Sequence, residues 1–516
     1  MNRRNFLRKA GLLGIPLAAA PLNVSFTRAL STLVDPDDDK VLVLIQLSGG
    51  NDGLNTLIPL DQYVNLNANR AALMLPENSL INLTDNQAFH PNMTGMADLF
   101  NDGKLGAIQG VGYPNQNRSH FRSTDIWTSA SDAEEVVTTG WLGRNFASDH
   151  PTYPENFPNE DYPDPFAIAM GSQVSQTCQG TGVNFSMALN DPFNVTSLAV
   201  GGDTPLPDTP YGEELGFLRT SIGQANAYGA VVQERAEAGN SLVDYPDNGF
   251  ANALKNVAYL VSGGLQSKVY VVNLGGFDTH ASQVVAGNPQ AGEHAELLQT
   301  LSDGMAAFHA DLAALGLEER VISMTFSEFG RRIAANDSLG TDHGSAAPLF
   351  LMGSCVAPGF LGSSPEIPEV ADVNEGVAMQ YDFRDIYGSV LQDWFNLDPA
   401  DVSAVLGHDF VHLPVLSLCD VVNSTETDTQ TEELTASVYP NPFASRINVS
   451  LVSDGSQAEL SIFDVTGKRI ELVFSKRLAA GRHRFFVDLE NQPAGAYFVR
   501  LQMGTRTLSK RIVKSK

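Results

Sequence analysis

Four short stretches combine carboxylates, imidazoles and glycines in a way suited to holding cations. They are Gly49-Gly50-Asn51-Asp52-Gly53, Gly275-Gly276-Phe277-Asp278-Thr279-His280, Ser327-Glu328-Phe329-Gly330-Arg331 and Thr341-Asp342-His343-Gly344. Carboxylates gathered in one place repel one another and are costly unless protonated, paired or metal-bound. A neutral imidazole is a good ligand for Zn or Mn, and Asp or Glu oxygens can bridge two ions. The candidate ligands are therefore Asp52, Asp278, His280, Glu328, Asp342 and His343. Two histidines with four carboxylates suit a two-metal site better than a structural zinc site, and one or two divalent ions (Zn, Mn or Ca) are the expected cofactors. The flanking glycines let backbone approach closely. Each stretch also has a structural reading: Asp52 as an Asx-turn residue, Glu328 paired with Arg331 or Arg332, His343 as a satisfied core histidine. Their joint occurrence favours the ion-binding reading. His294 and His309 fall on a helical pattern and read as structural, with His294 kept in view because it follows the Asp-Thr-His loop closely. His90, His150, His408 and His412 belong to no motif.

The elements around these stretches explain why they would meet. KVLVLIQLS, LGAIQGVGYP, SKVYVVNLGG, ERVISMTF and APLFLMG read as buried strands bounded by glycine. SHFRSTDIWTSA, a broken tract over 210–262, AGEHAELLQTLSDGMAAFHADLAAL and YDFRDIYGSVLQDWF read as helices. Strands alternating with helices imply an α/β fold, a doubly wound and mostly parallel sheet covered on both faces. In such sheets functional groups gather at the carboxyl ends of strands. Three of the four stretches directly follow a strand, and the fourth leads into one.

Of 516 residues, 43% are hydrophobic, enough for one large folded domain and a small one. The 59 Asp+Glu against 32 Lys+Arg give a formal charge of −27, which disfavours a polyphosphate partner and so a general nucleic-acid binder. Three cysteines, Cys178, Cys355 and Cys419, are too few for a disulfide framework or a thiolate zinc site. At the N-terminus a basic cluster precedes an apolar run from Ala10 to Leu22, too short to span a bilayer but suited to a signal peptide over residues 1–30. Arg3-Arg4 before Phe6-Leu7 resembles a twin-arginine export signal, which carries cargo already folded around its metal. No later apolar run is long enough for a membrane span. The main domain is expected over 31–420, followed by a polar linker over 421–436 and a tail over 437–516. The tail carries 13 Lys+Arg and 6 Asp+Glu, opposite in sign to the domain before it. Its alternating runs RINVSLV, AELSIFD, HRFFVDL and AYFVRLQ predict a small antiparallel β-sandwich.

The tail's Tyr439-Pro440-Asn441-Pro442-Phe443, FDVTGK, PAGAYFVRL and terminal RIVKSK resemble the C-terminal sorting domain of type IX secretion. That resemblance implies a Bacteroidetes protein carried from the periplasm across the outer membrane, to the cell surface or beyond. In the main domain, GGNDGLNT, GYPNQNRSHFRSTDIW, GGFDTHASQ, SEFGRR and GTDHGSAAPLFLMG resemble an exported bacterial domain-of-unknown-function family. The family is grouped with the sulfatase and alkaline-phosphatase superfamily, and the resemblance covers about residues 38–415. It implies a doubly wound α/β fold hydrolysing phosphate or sulfate esters with divalent metals. On it, Asp52, Asp278, His280 and His343 match metal ligands, with Asp342 ligating or orienting His343. Glu328 stands where an Asp-His pair is usual, so Phe329 leaves a second metal short of a ligand. The resemblance places the nucleophile in NRSHFRS, making Ser119 the candidate, with Arg118 and His120 holding ester oxygens or protonating the leaving group. Ser119 reads equally as a helix N-cap. The Cys/Ser-x-Pro-x-Arg signature of formylglycine sulfatases is absent.

The leading expectation is a secreted metal-dependent hydrolase of phosphate or sulfate esters, acting on a small molecule or a glycan. The alternative is a non-catalytic surface protein that binds sulfated or phosphorylated glycans. Metal scavenging by the acidic domain is a weaker third reading. A Ser-His-Asp hydrolase is disfavoured because no G-x-S-x-G elbow follows a strand.

Overall fold

The structure, a computed structural model, describes residues 39–199, 205–417, 436–439, 443, 446–464, 468–478, 480–489, 491–503 and 506–514. The expected signal peptide and most of the expected linker lie outside them.

Nine strands build the main sheet: β1 (Val41–Ser48), β2 (Leu105–Gly112), β3 (Ala167–Met170), β4 (Ser186–Leu189), β5 (Val269–Gly275), β6 (Val321–Phe326), β7 (Ala347–Met352), β8 (Gly359–Leu361) and β9 (Tyr381–Asp382). Their order is β8-β2-β7-β6-β1-β5-β3-β4, with β9 also on β2. β1 runs parallel to both β5 and β6, and β5 continues parallel through β3 to β4. Only β7 runs against its neighbours β2 and β6. The sheet is thus mostly parallel, as expected, with β1 near its middle.

Both faces are covered, and β1 shows why its sequence has no polar alternation. Leu42 and Leu44 enter one core with Ile126, Trp127, Trp141, Ile386, Tyr387 and Trp394. Val41, Val43 and Ile45 enter the other with Met96, Val257, Leu298, Met305 and Phe308. A strand buried on both sides reads as a continuous apolar run. The helices are α1 (Gly53–Thr56), α2 (Tyr63–Arg70), α3 (Thr94–Asn101), α4 (His120–Ser129), α5 (Trp141–Asp149), α6 (Pro210–Ala238), α7 (Gly249–Ser262), α8 (Glu293–Ala314), α9 (Phe383–Phe395) and α10 (Pro399–Leu406). α4, α5, α9 and α10 cover the first face; α3, α6, α7 and α8 cover the second. The broken helical tract over 210–262 is α6 and α7, each opened by a side-chain cap, Thr209 and Asn248. Cys178 is free and buried, whereas Cys355 is disulfide-bonded.

The tail forms two antiparallel sheets from β10 (Ala436–Tyr439), β11 (Arg446–Asp454), β12 (Gln457–Asp464), β13 (Arg469–Arg477), β14 (Ala480–Asp488), β15 (Gly495–Met503) and β16 (Arg506–Lys514). One is β10-β11-β14 and the other β13-β12-β15-β16. Ile447, Val449, Leu460, Ile462, Val499 and Leu501 from both sheets share one core, a β-sandwich. No helix among the described residues is long and apolar enough to cross a membrane.

Candidate functional site

The carboxyl ends of β1, β5 and β6, three adjacent strands, carry Gly49-Gly50, Asp278-His280 and Glu328. Their loops interlock tightly. A Cβ on Gly49, at φ +120°, would lie 2.2 Å from the Asp278 nitrogen, and one on Gly50, at φ +84°, 2.5 Å from the Phe329 ring. Only glycine fits either place. Arg331 pins the junction from within. It is buried and donates to the carbonyls of Gly50 (2.7 Å), Phe277 (2.8 Å), Thr341 (2.9 Å) and Gly49, and to Asp278 Oδ1 (2.8 Å).

Three imidazoles surround the Asp278 carboxylate. Its Oδ1 lies 3.1 Å from His280 Nε2, 3.2 Å from His343 Nε2 and 3.4 Å from His120 Nε2. His280 Nε2 and His343 Nε2 are 2.8 Å apart. Each ring has its other nitrogen occupied by an acceptor. His120 Nδ1 is 2.9 Å from Glu328 Oε1, His280 Nδ1 is 2.9 Å from Asp342 Oδ1, and His343 Nδ1 is 2.8 Å from the Arg118 carbonyl. A carbonyl cannot donate and an ionised carboxylate only accepts, so each Nδ1 carries the proton when the ring is neutral. The three Nε2 lone pairs then face one another and a carboxylate oxygen, with Arg331 donating from one side only. Such a set of acceptors is repulsive until a cation or a shared proton enters it. His120 Nε2 and Glu328 Oε2 are moreover buried with no hydrogen-bond partner. His120, Asp278 and His343 each offer one ligand atom within 4.8 Å of the others.

Phe329 forms the floor, its ring centroid 5.0 Å from that of His120 and 4.6 Å from that of His343. It cannot ligate, but it fixes the planes of two rings that can. Burial would raise the Asp278 pKa, yet the hydrogen bond and positive charge of Arg331 bring it down to about 2. For His343, burial outweighs its Arg118 and Asp278 hydrogen bonds and lowers the pKa, favouring the neutral ring that ligation requires.

The expected residues divide clearly. Asp278, His280, Glu328, Asp342 and His343 are brought together, with Glu328 and Asp342 behind imidazoles rather than facing the centre. Glu328 pairs with neither Arg331 nor Arg332: its Oε1 accepts from the Gly49 nitrogen (2.7 Å) and contacts His120. Arg332 instead donates to Asp342 Oδ2 at 3.2 Å. Asp52 stands apart. It is fully buried, takes two hydrogen bonds from Arg70 Nη1 (2.7 and 2.9 Å) and one from Gln283 Nε2 (2.6 Å), and its pKa is lowered despite burial. Its nitrogen-side neighbour Asn51 contacts the buried His294, Nε2 to Oδ1 3.1 Å.

Ser119 is exposed at the N-terminus of α4, in extended backbone, and its side chain makes no cap hydrogen bond. Its neighbour Arg118 donates to the Asn374 carbonyl at 2.8 Å, and burial together with the nearby charge of Arg332 lowers its pKa. His120 is the residue whose place differs most from expectation, since it joins the imidazole cluster itself. No local spacing signals that, because its partners lie more than 150 residues away along the chain. Arg70, which neutralises Asp52 from α2, belongs to no motif either.

Residues 260–405 match the family described as a protein of unknown function, DUF1501, and residues 437–515 match the secretion system C-terminal sorting domain. The first match includes Asp278, His280, Glu328, Asp342 and His343 and leaves Asp52, Arg118, Ser119 and His120 outside it. The sorting domain marks the chain for export to the cell surface or the extracellular space. The comparison with curated proteins found no match. Among solved structures, the PsFucS1 sulfatase from Pseudoalteromonas sp. is similar at 11% identity and a TM-score of 0.32, over 86% of this chain and 83% of that one. A protein of the alkaline phosphatase superfamily from Vibrio parahaemolyticus gives 10% identity and 0.30, over 86% and 82%. A phosphonate monoester hydrolase from Silicibacter pomeroyi gives 10% and 0.28, over 92% and 88%. Likenesses this distant say nothing about the chemistry of the cluster.

Proposed function

For an exported chain that carries a DUF1501 segment, we propose that the histidine cluster is the centre of a metal-dependent hydrolase of phosphate or sulfate esters, independent of formylglycine. The observation that carries this reading is the convergence of three Nε2 lone pairs on Asp278 with no donor assigned between the rings. His120, Asp278 and His343 would hold the ion, with His280 completing a nitrogen-rich set that suits Zn or Mn better than Ca. Tetrahedral ligands about 2.0–2.1 Å from zinc are separated by about 3.3 Å, close to the spacings between these atoms. Glu328, Asp342 and the Arg118 carbonyl act as the outer partners that fix each imidazole's tautomer and orientation. The reading takes one ion, because Asp52 is committed to Arg70 and Asp342 to His280 and Arg332.

When bound, the ion supplies Lewis acidity that polarises an ester oxygen and eases ionisation of a nucleophile beside it. This chain's residues supply the rest. Ser119 presents an unhindered hydroxyl one residue from His120. The first turn of α4 offers backbone N–H groups without intrahelical partners, a favourable place for a developing anion. Arg118 and Arg332 are close enough to repel, and an anionic ester between them would relieve that repulsion. The strongly acidic chain thus keeps two cations at its proposed substrate mouth.

The test is turnover of p-nitrophenyl phosphate and p-nitrophenyl sulfate by the exported chain after loading with Zn or Mn. The reading expects turnover of one ester class, abolished by chelation and reduced at least a hundredfold by Ser119→Ala with the ion retained. No turnover of any ester by the loaded protein would reject it. The bare Ser119 hydroxyl, with no base against it, favours a second reading in which the same mouth binds sulfated or phosphorylated glycans without cleaving them. Saturable glycan binding without turnover, unaffected by Ser119→Ala, would select that reading.

A further inference from the structure

At the far edge of the main sheet, three strand positions away from β1, lies a cavity of about 660 Å³ that the histidine cluster does not touch. That volume falls within the roughly 300–1,000 Å³ of small-molecule sites. One wall is the edge strand β4 with the segments on either side of it. The other is a single face of α6: Phe217, Ser221, Gln224, Ala225 and Tyr228, at the i, i+4, i+7, i+8, i+11 spacing that aligns side chains on a helix.

Two features of this cavity are not explained by folding. Gln224 and Tyr228 are each more than nine-tenths buried, yet Gln224 Nε2 and the Tyr228 hydroxyl complete no hydrogen bond within the protein. The amide lies near the Tyr153 and Tyr228 phenols and works against the upward push of burial on both, but without the geometry of a formed bond. Buried donors left in this way are costly, and a leucine or phenylalanine would avoid the cost. The second feature is charge. Asp191 is the one charged residue lining the cavity, and no Lys, Arg or His lines it among the described residues, so no cationic side chain there favours an anion. The exposed rim mixes apolar Val174, Leu198 and Phe217 with uncharged polar Asn190, Asn194 and Thr196.

We propose that this cavity is a binding site for an uncharged, mainly apolar small molecule whose carbonyl or hydroxyl oxygen accepts hydrogen bonds from Gln224 and Tyr228. It is separate from the ester site and does not depend on the reading given to it. The apolar walls supply the affinity through burial, and the two donors set orientation and exclude purely hydrocarbon ligands.

The probe is Nile red, neutral and apolar with one carbonyl, titrated by fluorescence against the full exported chain. One saturable site per chain is expected. Gln224→Leu and Tyr228→Phe should each weaken it at least fivefold, with melting temperatures unchanged or higher, because each removes an unpartnered polar atom. A purely structural role for either side chain would instead lower the melting temperature and leave binding alone. Ala225→Trp, which fills the cavity from α6, should weaken binding at least tenfold while ion content at the histidine cluster is unchanged. The proposal is overturned if the wild type shows no saturable site, if both polar variants bind as well as wild type, or if Ala225→Trp binds undiminished in a folded protein.

Discussion

Asp52 and Asp278 stand at the ends of neighbouring parallel strands, each behind a glycine pair or near one, and each is held by an arginine. They differ in what closes the rest of the shell. Around Asp52, Arg70 and Gln283 satisfy the carboxylate in a space with no exposure. Around Asp278, with a side chain 48% exposed, Arg331 takes one direction and three imidazole nitrogens take the others. A guanidinium brings its own protons and its own charge, so the first site is complete as it stands. Three neutral rings with their Nδ1 atoms already committed bring only lone pairs, so the second is complete only with a cation. Residue type alone does not distinguish a structural carboxylate from a functional one. The charge and donor count of its neighbours does.

The comparison breaks most easily at Arg70. Arg70→Met strands a buried Asp52 charge and should cost about 3–5 kcal/mol of unfolding free energy, read by denaturant titration, with ion content unchanged in the folded fraction. A loss below about 1 kcal/mol would mean that Asp52 is not the closed site described. Next in size is stabilisation by the ion. With free Zn at a hundred times its dissociation constant the folded state should gain about 2.7 kcal/mol, seen as a higher melting temperature. His343→Ala should remove that gain while shifting the ion-free protein by less than about 1 kcal/mol, as expected of a half-buried group. An ion-free His343→Ala protein destabilised as much as Arg70→Met would instead make the cluster structural.

A third carboxylate sharpens the contrast because it has neither solution. Burial, with Asp401 nearby, raises Asp149 to about 6, although Ser148 donates to it. Its folded pKa lies above the unfolded value, so the stability it permits is full below about pH 4 and declines as pH rises through 6. Asp149→Asn should flatten that decline and raise stability at pH 7 by about 1 kcal/mol. An unchanged pH profile between 4 and 7 would show that Asp149 is solvated after all.

Much of this was legible from the sequence, for reasons that also mark where it stopped. β1, β5, β6 and α8 are long, strongly patterned elements, and the groups at strand ends follow from their position in a parallel sheet. The tail's alternation and turn spacing gave its sandwich. By contrast, β3 and β4 have four residues each, too short for a periodicity to stand out, and β7 looks like any buried strand although it runs antiparallel. The site was half legible. Asp278, His280 and His343 sit in local motifs, but the match of Asp52 with Arg70 and of His120 with Glu328 depends on long-range packing. The donors inside the α6 cavity carry no sequence signal, since Gln224 and Tyr228 look like ordinary surface residues of a polar helix.

The central claim is that the lone pairs around Asp278, and not the carboxylate of Asp52, hold a cation. Elemental analysis of the purified exported chain beside its Asp278→Ala and Asp52→Asn variants tests it directly. The account predicts about one equivalent of Zn or Mn per wild-type chain after loading, under about 0.1 in Asp278→Ala, and the wild-type value in folded Asp52→Asn. No bound ion in the wild type, or an ion lost with Asp52 and kept without Asp278, would contradict it.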